Sequence, residues 1–176
     1  MTRVNGMTLF ELMLSLSILA VASTVAMPAF ADLRRNAVRT ATVNDFLHAL
    51  YLARSEAINR MEVVSVCKSN DGRTCGNLLP DWAGGWLVFA NHDRDQPPQV
   101  DPDEPVLRTY SGWPQGHITA NRPAFSFRPV QQNALNGTVL FCDSAGSSRA
   151  RAIIISQTGR PRATNQTADG RPLTCP

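Results

Sequence analysis

Two stretches of this 176-residue chain carry residue types whose spacing suits chemistry. The first is Thr158-Gly159-Arg160-Pro161-Arg162. Glycine permits a tight turn and proline stiffens the link between the arginines. Two guanidiniums at i and i+2 of an extended segment face the same way. Such a pair suits adjacent phosphates, which arginine grips through parallel N–H donors. Arg149 and Arg151 precede the apolar run 152–156, Arg171 follows it, and Asp169 is the one acid in 144–176. The competing reading is a solvated basic tail, or one ion-paired with the acids at 93–104. The second stretch centres on Glu11, a carboxylate at the head of twenty uncharged residues, 12–31. Inserting such a carboxylate in a membrane costs about 2.5 kcal/mol or more unless it lies near the interface or finds a partner.

The element that must position Glu11 is a helix. Twenty residues at about 1.5 Å each span roughly 30 Å, the thickness of a bilayer's hydrocarbon core. The helical pattern continues past it, with Phe46, Leu50, Ala53 and Ala57 forming a stripe that Leu47 and Ile58 widen. A helix from Met7 to about Met61 would be roughly 80 Å long. Pro28 should kink or loosen it, and Asp32, Arg34, Arg35 and Arg39 mark its exit into water.

A short leader ending in Gly6, a cut before Met7, an uninterrupted apolar segment and Glu11 five positions after the cut together resemble a type IV prepilin. Most members have Phe where this chain has Met7. The resemblance implies cleavage between Gly6 and Met7 by a prepilin peptidase, methylation of the new amine, and pairing of Glu11 with the amine of a neighbouring subunit. The rival is a secretory signal peptide with Ala29-Phe30-Ala31 as its cleavage site, but Glu11 and the length of the apolar run weigh against it. A plain single-span anchor explains the length without explaining Gly6 and Glu11.

The remaining 62–176 makes one small domain. The chain carries seventeen Lys and Arg against fourteen Asp and Glu, and Lys68 is its only lysine. Cys67, Cys75, Cys142 and Cys175 are an even set in an exported domain, which favours two disulfides over zinc, since no C-x2-C pair occurs. Three pairings are open. Cys67 with Cys75 closes a short turn-rich loop, and Cys142 with Cys175 pins the tail that carries Arg160 and Arg162. No nucleophile motif lies near His48, His92 or His117, and neither a catalytic constellation nor a phosphate-cradling glycine loop is present. The reading is therefore not an enzyme, with no cofactor and no metal. The acids Asp93, Asp95, Asp101, Asp103 and Glu104 lack EF-hand spacing, and the prolines among them suit a solvated excursion better than a calcium site.

Strands are expected at 62–67, 84–89, 106–110, 117–120, 125–128, 138–142 and 152–156, the last of them central. Asn136-Gly137 signals a hairpin, and no internal repeat is visible. Leu52–Arg60 as a prelude to the first strand, the Cys-bearing strand itself and Gly85-Trp86 resemble FimT- and GspH-like minor pilins. Gly159-Arg160-Pro161-Arg162 resembles the Gly-Arg-x-Arg motif of DNA-binding FimT pilins.

The family implies an α+β pilin fold with a leader at 1–6, a transmembrane and assembly half-helix at 7–31, an amphipathic half at 32–61 and a β-rich domain at 62–176. It also implies a single inner-membrane span with a periplasmic domain, and a cell-surface pilus built with other pilin subunits through the helix. The function so implied is non-specific binding of duplex DNA during natural transformation, through Gly159, Arg160 and Arg162 with Arg149, Arg151 and Arg171. The alternatives are a structural pilin that initiates or caps the filament, and a GspH-like minor pseudopilin of a type II secretion system.

Overall fold

The structure, a computed structural model, describes residues 8–130, 135–143 and 146–175. The leader, Gly6 and Met7 lie outside the described residues. Helix α1 spans Leu9–Arg60 and runs through Pro28, which does not end it. Its first turn is closed by a reciprocal cap. The Glu11 N–H donates to the Thr8 hydroxyl at 3.3 Å, and the Thr8 N–H donates to the Glu11 carboxylate at 3.2 Å. This is the Thr-x-x-Glu capping box, which satisfies two amide donors that a helix start leaves without partners. At the other end Met61 adopts φ 58°, the left-handed conformation that closes many helices.

The chain divides into two compact units, Met1–Thr40 and Ala41–Pro176. In the first, the apolar side chains of α1 at Leu9, Phe10, Leu12, Met13, Leu14, Leu16, Ile18, Leu19, Val21, Met27, Phe30 and Leu33 are exposed, and the helix is long and apolar enough to cross a membrane. Arg39, expected to face water, is instead buried, and its guanidinium donates to Asn36 Oδ1.

In the second unit α1 meets two antiparallel four-stranded sheets. Strands β1 (Val63–Lys68), β2 (Gly85–Asn91), β3 (Val106–Ser111) and β5 (Ala124–Phe127) form the first, in the order β3-β2-β1-β5. Strands β4 (Gly116–Ala120), β6 (Gly137–Asp143), β7 (Arg151–Ile155) and β8 (Pro161–Thr164) form the second, in the order β4-β6-β7-β8. The stripe of α1 supplies Val43, Phe46, Ala49, Leu50, Ala53 and Ala57 to the core, whereas Ile58 stays half exposed. Phe46 is the centre of the packing. Its ring lies 4.9 Å from Trp86 and 6.4 Å from Phe125 of the first sheet, 5.7 Å from Phe141 of the second, and 5.3 Å from Trp82. Phe125 and Phe127 are buried and Ser126 is not, as the alternation requires.

Two further expectations change. Asn136-Gly137 does not join paired strands, because β5 and β6 belong to different sheets. Gly137 opens β6 instead, where a Cβ would come within 2.6 Å of the Phe125 ring. The segment 161–164, read as an extended segment outside the expected strands, is an edge strand paired with β7.

Both disulfides are formed, Cys67–Cys75 and Cys142–Cys175. The second lies in an apolar cluster with Ala150, Ala152 and Leu173, so it and Leu173 together hold the last residues against the sheet.

Candidate assembly and nucleic-acid-binding sites

One oxygen of the Glu11 carboxylate is engaged by its own chain in this structure. The Thr8 N–H and hydroxyl both donate to one carboxylate oxygen at 3.2 Å, and a carboxylate can accept further bonds through its other oxygen.

The arginine segment is built around a tight hairpin. The Gly159 N–H donates to Ser156 O at 2.9 Å, the Ser156 N–H donates to Arg160 O at 3.0 Å, and the Arg160 N–H donates to Ser156 Oγ at 3.2 Å. Gly159 has φ +72°, the left-handed position that ends a three-residue hairpin loop and that side chains resist. Pro161 is buried, and its carbonyl accepts the Tyr51 hydroxyl of α1 at 2.9 Å. Arg160 therefore leaves a fixed turn, and Arg162 sits opposite Ile154 on an edge strand. By the two-residue alternation of a strand, the two arginines project from one face, roughly 7 Å apart along the chain. Both are exposed, and among the described residues neither has an ion-pair partner.

The other arginines are not alongside. Register places Ile155 opposite Pro161 at one end of the second sheet and Arg151 opposite Phe141 toward the other. Arg149, in the 3-10 turn Gly146–Arg149, shares the Arg151 end. So does Arg171, which lies beyond the Thr164 end of β8 and pairs with Asp169 at 3.0 Å. These three form a separate group from Arg160 and Arg162.

Arg171 repeats the construction of Arg160. The Gly170 N–H donates to Thr167 O at 3.0 Å, the Thr167 N–H to Arg171 O at 2.8 Å, and the Arg171 N–H to Thr167 Oγ1 at 3.0 Å, with Gly170 at φ +77°. Ser156-Gln157-Thr158-Gly159-Arg160-Pro161 and Thr167-Ala168-Asp169-Gly170-Arg171-Pro172 are the same six-residue turn, a recurrence too short to register as a repeat. Arg122, at the Arg160 end of the sheet, was missed. The signal available was the Arg-Pro dipeptide, found at 122–123 as at 160–161, because a following proline forces arginine into extended backbone.

Among the described residues, the acidic excursion makes no ion pair with Arg160 or Arg162. The buried Glu104 carboxylate accepts the N–H groups of His92 at 2.6 Å and Asp101 at 3.2 Å. Asp95 accepts the Gln99 N–H at 2.8 Å, and burial pushes its carboxyl above the usual range. These acids shape their own loop. Each histidine has a partner: His48 the Tyr110 hydroxyl at 2.8 Å, His92 Glu62 at 3.3 Å, and His117 Asp81 at 3.1 Å.

A long apolar N-terminal helix packed on antiparallel sheets is the fold of type IV pilins. The chain covers 98% of a crystal structure of the type IV minor pilin FimU of Pseudomonas aeruginosa, with 77% of its own length, a TM-score of 0.54 and 17% identity. A second crystal form of that pilin gives a TM-score of 0.53. Residues 42–159 match the family described as type II transport protein GspH, and the chain belongs to it. It is also 30% identical, over 92% of its length and 99% of the relative's, to the pilin-like protein PilA1 of Thermus thermophilus. Family and fold are those of pilins, which are structural proteins acting with other pilin subunits.

Proposed function

We propose that this chain is a minor type IV pilin that binds extracellular duplex DNA through its phosphates and supports DNA uptake in natural transformation. The observation that carries this reading is the pair Arg160 and Arg162, exposed and, among the described residues, without an ion pair, where a fixed turn enters the anchored edge strand β8. A rigid pair loses little freedom on meeting phosphates. It offers no helix for the major groove, so binding is electrostatic, indifferent to sequence and sensitive to salt. Arg149, Arg151 and Arg171 form a second, more distant basic group that would add smaller increments.

Before assembly the protein is held in the inner membrane by α1, with Ala41–Pro176 in the periplasm. A prepilin peptidase cuts between Gly6 and Met7, the new amine is methylated, and Glu11 exchanges its cap on Thr8 for the amine of a neighbouring subunit in the pilus. Titration of random duplex against wild type and the Arg160→Gln/Arg162→Gln variant tests the DNA reading. The family description supports a second reading, a GspH-like pseudopilin of a type II secretion system. On that reading neither protein binds DNA, and deletion of the gene blocks exoprotein export.

A further inference from the structure

Lys68, the chain's only lysine, stands at the end of β1 with 8% of its surface exposed. Its ammonium donates to Leu79 O at 2.5 Å, and among the described residues no carboxylate stands within ion-pair distance of it. Burying a charge beside a single neutral carbonyl is unfavourable unless an anion or water completes its surroundings, and an ammonium has three donors to satisfy. Lys68 lines an open cleft of about 300 Å³ between the β1–β2 connection, at Pro80 and Trp82, and the segment that leaves β4, at Asn121 and Arg122. At about 30 Å³ per water, that is room for about ten waters, or for a phosphodiester group with part of its hydration. Asp81, the acid nearest in sequence to this wall, is turned to His117 and to the Ala83 N–H. Arg122 is half-buried, and its guanidinium is oriented by Asn136, donating to Asn136 O at 2.6 Å and Asn136 Oδ1 at 2.9 Å. Those two bonds use two of its five N–H donors.

The register of the second sheet relates this cleft to the arginine turn. Ala120 pairs with Val139 at the start of β6, Gly137 with Ile155 at the end of β7, and Ile155 with Pro161 at the start of β8. The end of β4, which leads into Arg122, and the start of β8, which follows Arg160, therefore lie at the same end of one sheet. Three strand spacings separate them, about 14 Å at about 4.8 Å each. A duplex carries one phosphate per about 1.7 Å of axis, so a rigid helix presents phosphates to both points at once.

We propose that the Lys68–Arg122 cleft is a second phosphate subsite for duplex DNA, occupied together with Arg160 and Arg162. This rests on the DNA-binding reading above. A backbone phosphate would enter beside Arg122 and give the Lys68 ammonium the counter-charge that the described residues do not supply.

Two measurements on the full-length chain in uncharged detergent test it. The first is anisotropy of a labelled random duplex across a salt series, comparing wild type, Arg122→Gln and Arg160→Gln/Arg162→Gln. Arg122→Gln is expected to weaken binding several-fold for every sequence and to lower the slope of log K against log salt by about 1. The second uses Lys68 as a unique side-chain amine. Its acylation, read by mass spectrometry against the N-terminal amine, should slow when wild type is saturated with duplex, and this readout needs no substitution in the core. An Arg122→Gln protein that binds like wild type, or a Lys68 acylated equally with and without duplex, overturns the subsite. If the Arg160/Arg162 variant is still weakened in that case, the DNA reading survives without it. A wild type that binds no duplex at low salt overturns both.

Discussion

The Tyr51 hydroxyl of α1 donates to the carbonyl of Pro161, 2.9 Å away, between the two arginines of the edge strand. One helix thereby holds the core through Phe46 and also fixes the segment that carries Arg160 and Arg162. Tyr51→Phe removes that bond alone. It is expected to lower stability by about 1 kcal/mol, since a typical intramolecular hydrogen bond is worth that much. For a chain of this size the melting temperature should fall by roughly 2–4 °C. Calorimetry checks this, and an unchanged melting temperature would show that the bond contributes nothing.

Cys142 and Cys175 close a loop with a sequence separation of 33, and losing the pair is expected to cost roughly 3–4 kcal/mol. The released segment is the one carrying Arg171 and Leu173. Arg160 and Arg162 should stay in place, because β7 pairing and Tyr51 hold them. In a Cys142→Ala/Cys175→Ala variant, amide exchange should quicken at Arg171 and Leu173 and hold at Arg162. Equal loss of protection at Arg162 would mean that the tail, not the hairpin, positions the arginines.

Thr8 and Glu11 allow the cap to be separated from assembly. Thr8→Ala removes the hydroxyl that caps the Glu11 N–H and leaves the carboxylate, whereas Glu11→Ala removes the carboxylate and leaves that hydroxyl cap. Both proteins should be cut after Gly6, and a Gly6→Asp protein should not be. Only Glu11→Ala should assemble poorly, as read from sheared filaments by immunoblot. Poor assembly of Thr8→Ala as well would assign the defect to helix capping, and a mature N-terminus at Asp32 would restore the signal-peptide reading.

Asp71, in the loop closed by Cys67 and Cys75, accepts the Thr74 N–H at 2.9 Å, the Thr74 hydroxyl at 2.7 Å and the Arg73 N–H at 2.9 Å. These bonds, those from Thr74 foremost, favour the carboxylate and hold its pKa well below the ordinary 3.8. A folded value below the unfolded one means that the stabilisation is complete above 3.8 and is lost as pH falls through the lower folded value. A carbon NMR titration should show Asp71 still ionised at pH values where exposed aspartates are half protonated. A midpoint in the ordinary range would contradict this.

What was legible in the chain follows from local physics. The helix stripe at Phe46, Leu50, Ala53 and Ala57 shows a period of 3.6, and the buried runs of β1, β2 and β7 are mostly β-branched or apolar, so each announced its environment, although the burial of Ser65, Lys68 and Asn91 did not. The turn-rich loop between Cys67 and Cys75 suggested that pair, but three pairings stayed open until the fold brought Cys67 to Cys75 and Cys142 to Cys175. Strand β8 did not announce itself, since Pro161-Arg162-Ala163-Thr164 is short, opens on a proline and has no large apolar residue, and it pairs at the edge that β7 offers. Ile58 fits the stripe by spacing but lies near the helix end, where it remains half exposed. The splitting of the arginines into two groups is a property of sheet register, which no spacing along the chain contains.

The most direct test is the affinity of the full-length chain, in uncharged detergent, for random-sequence duplex DNA across a salt series. Wild type should bind in the micromolar range or more weakly, with affinity falling steeply as added salt reduces the gain from counterion release. Arg160→Gln/Arg162→Gln should fold normally, bind every sequence less tightly, and flatten the salt slope by about 1 to 2 units. Equal binding by the two proteins, or no binding by wild type at low salt, would contradict a DNA-binding pilin.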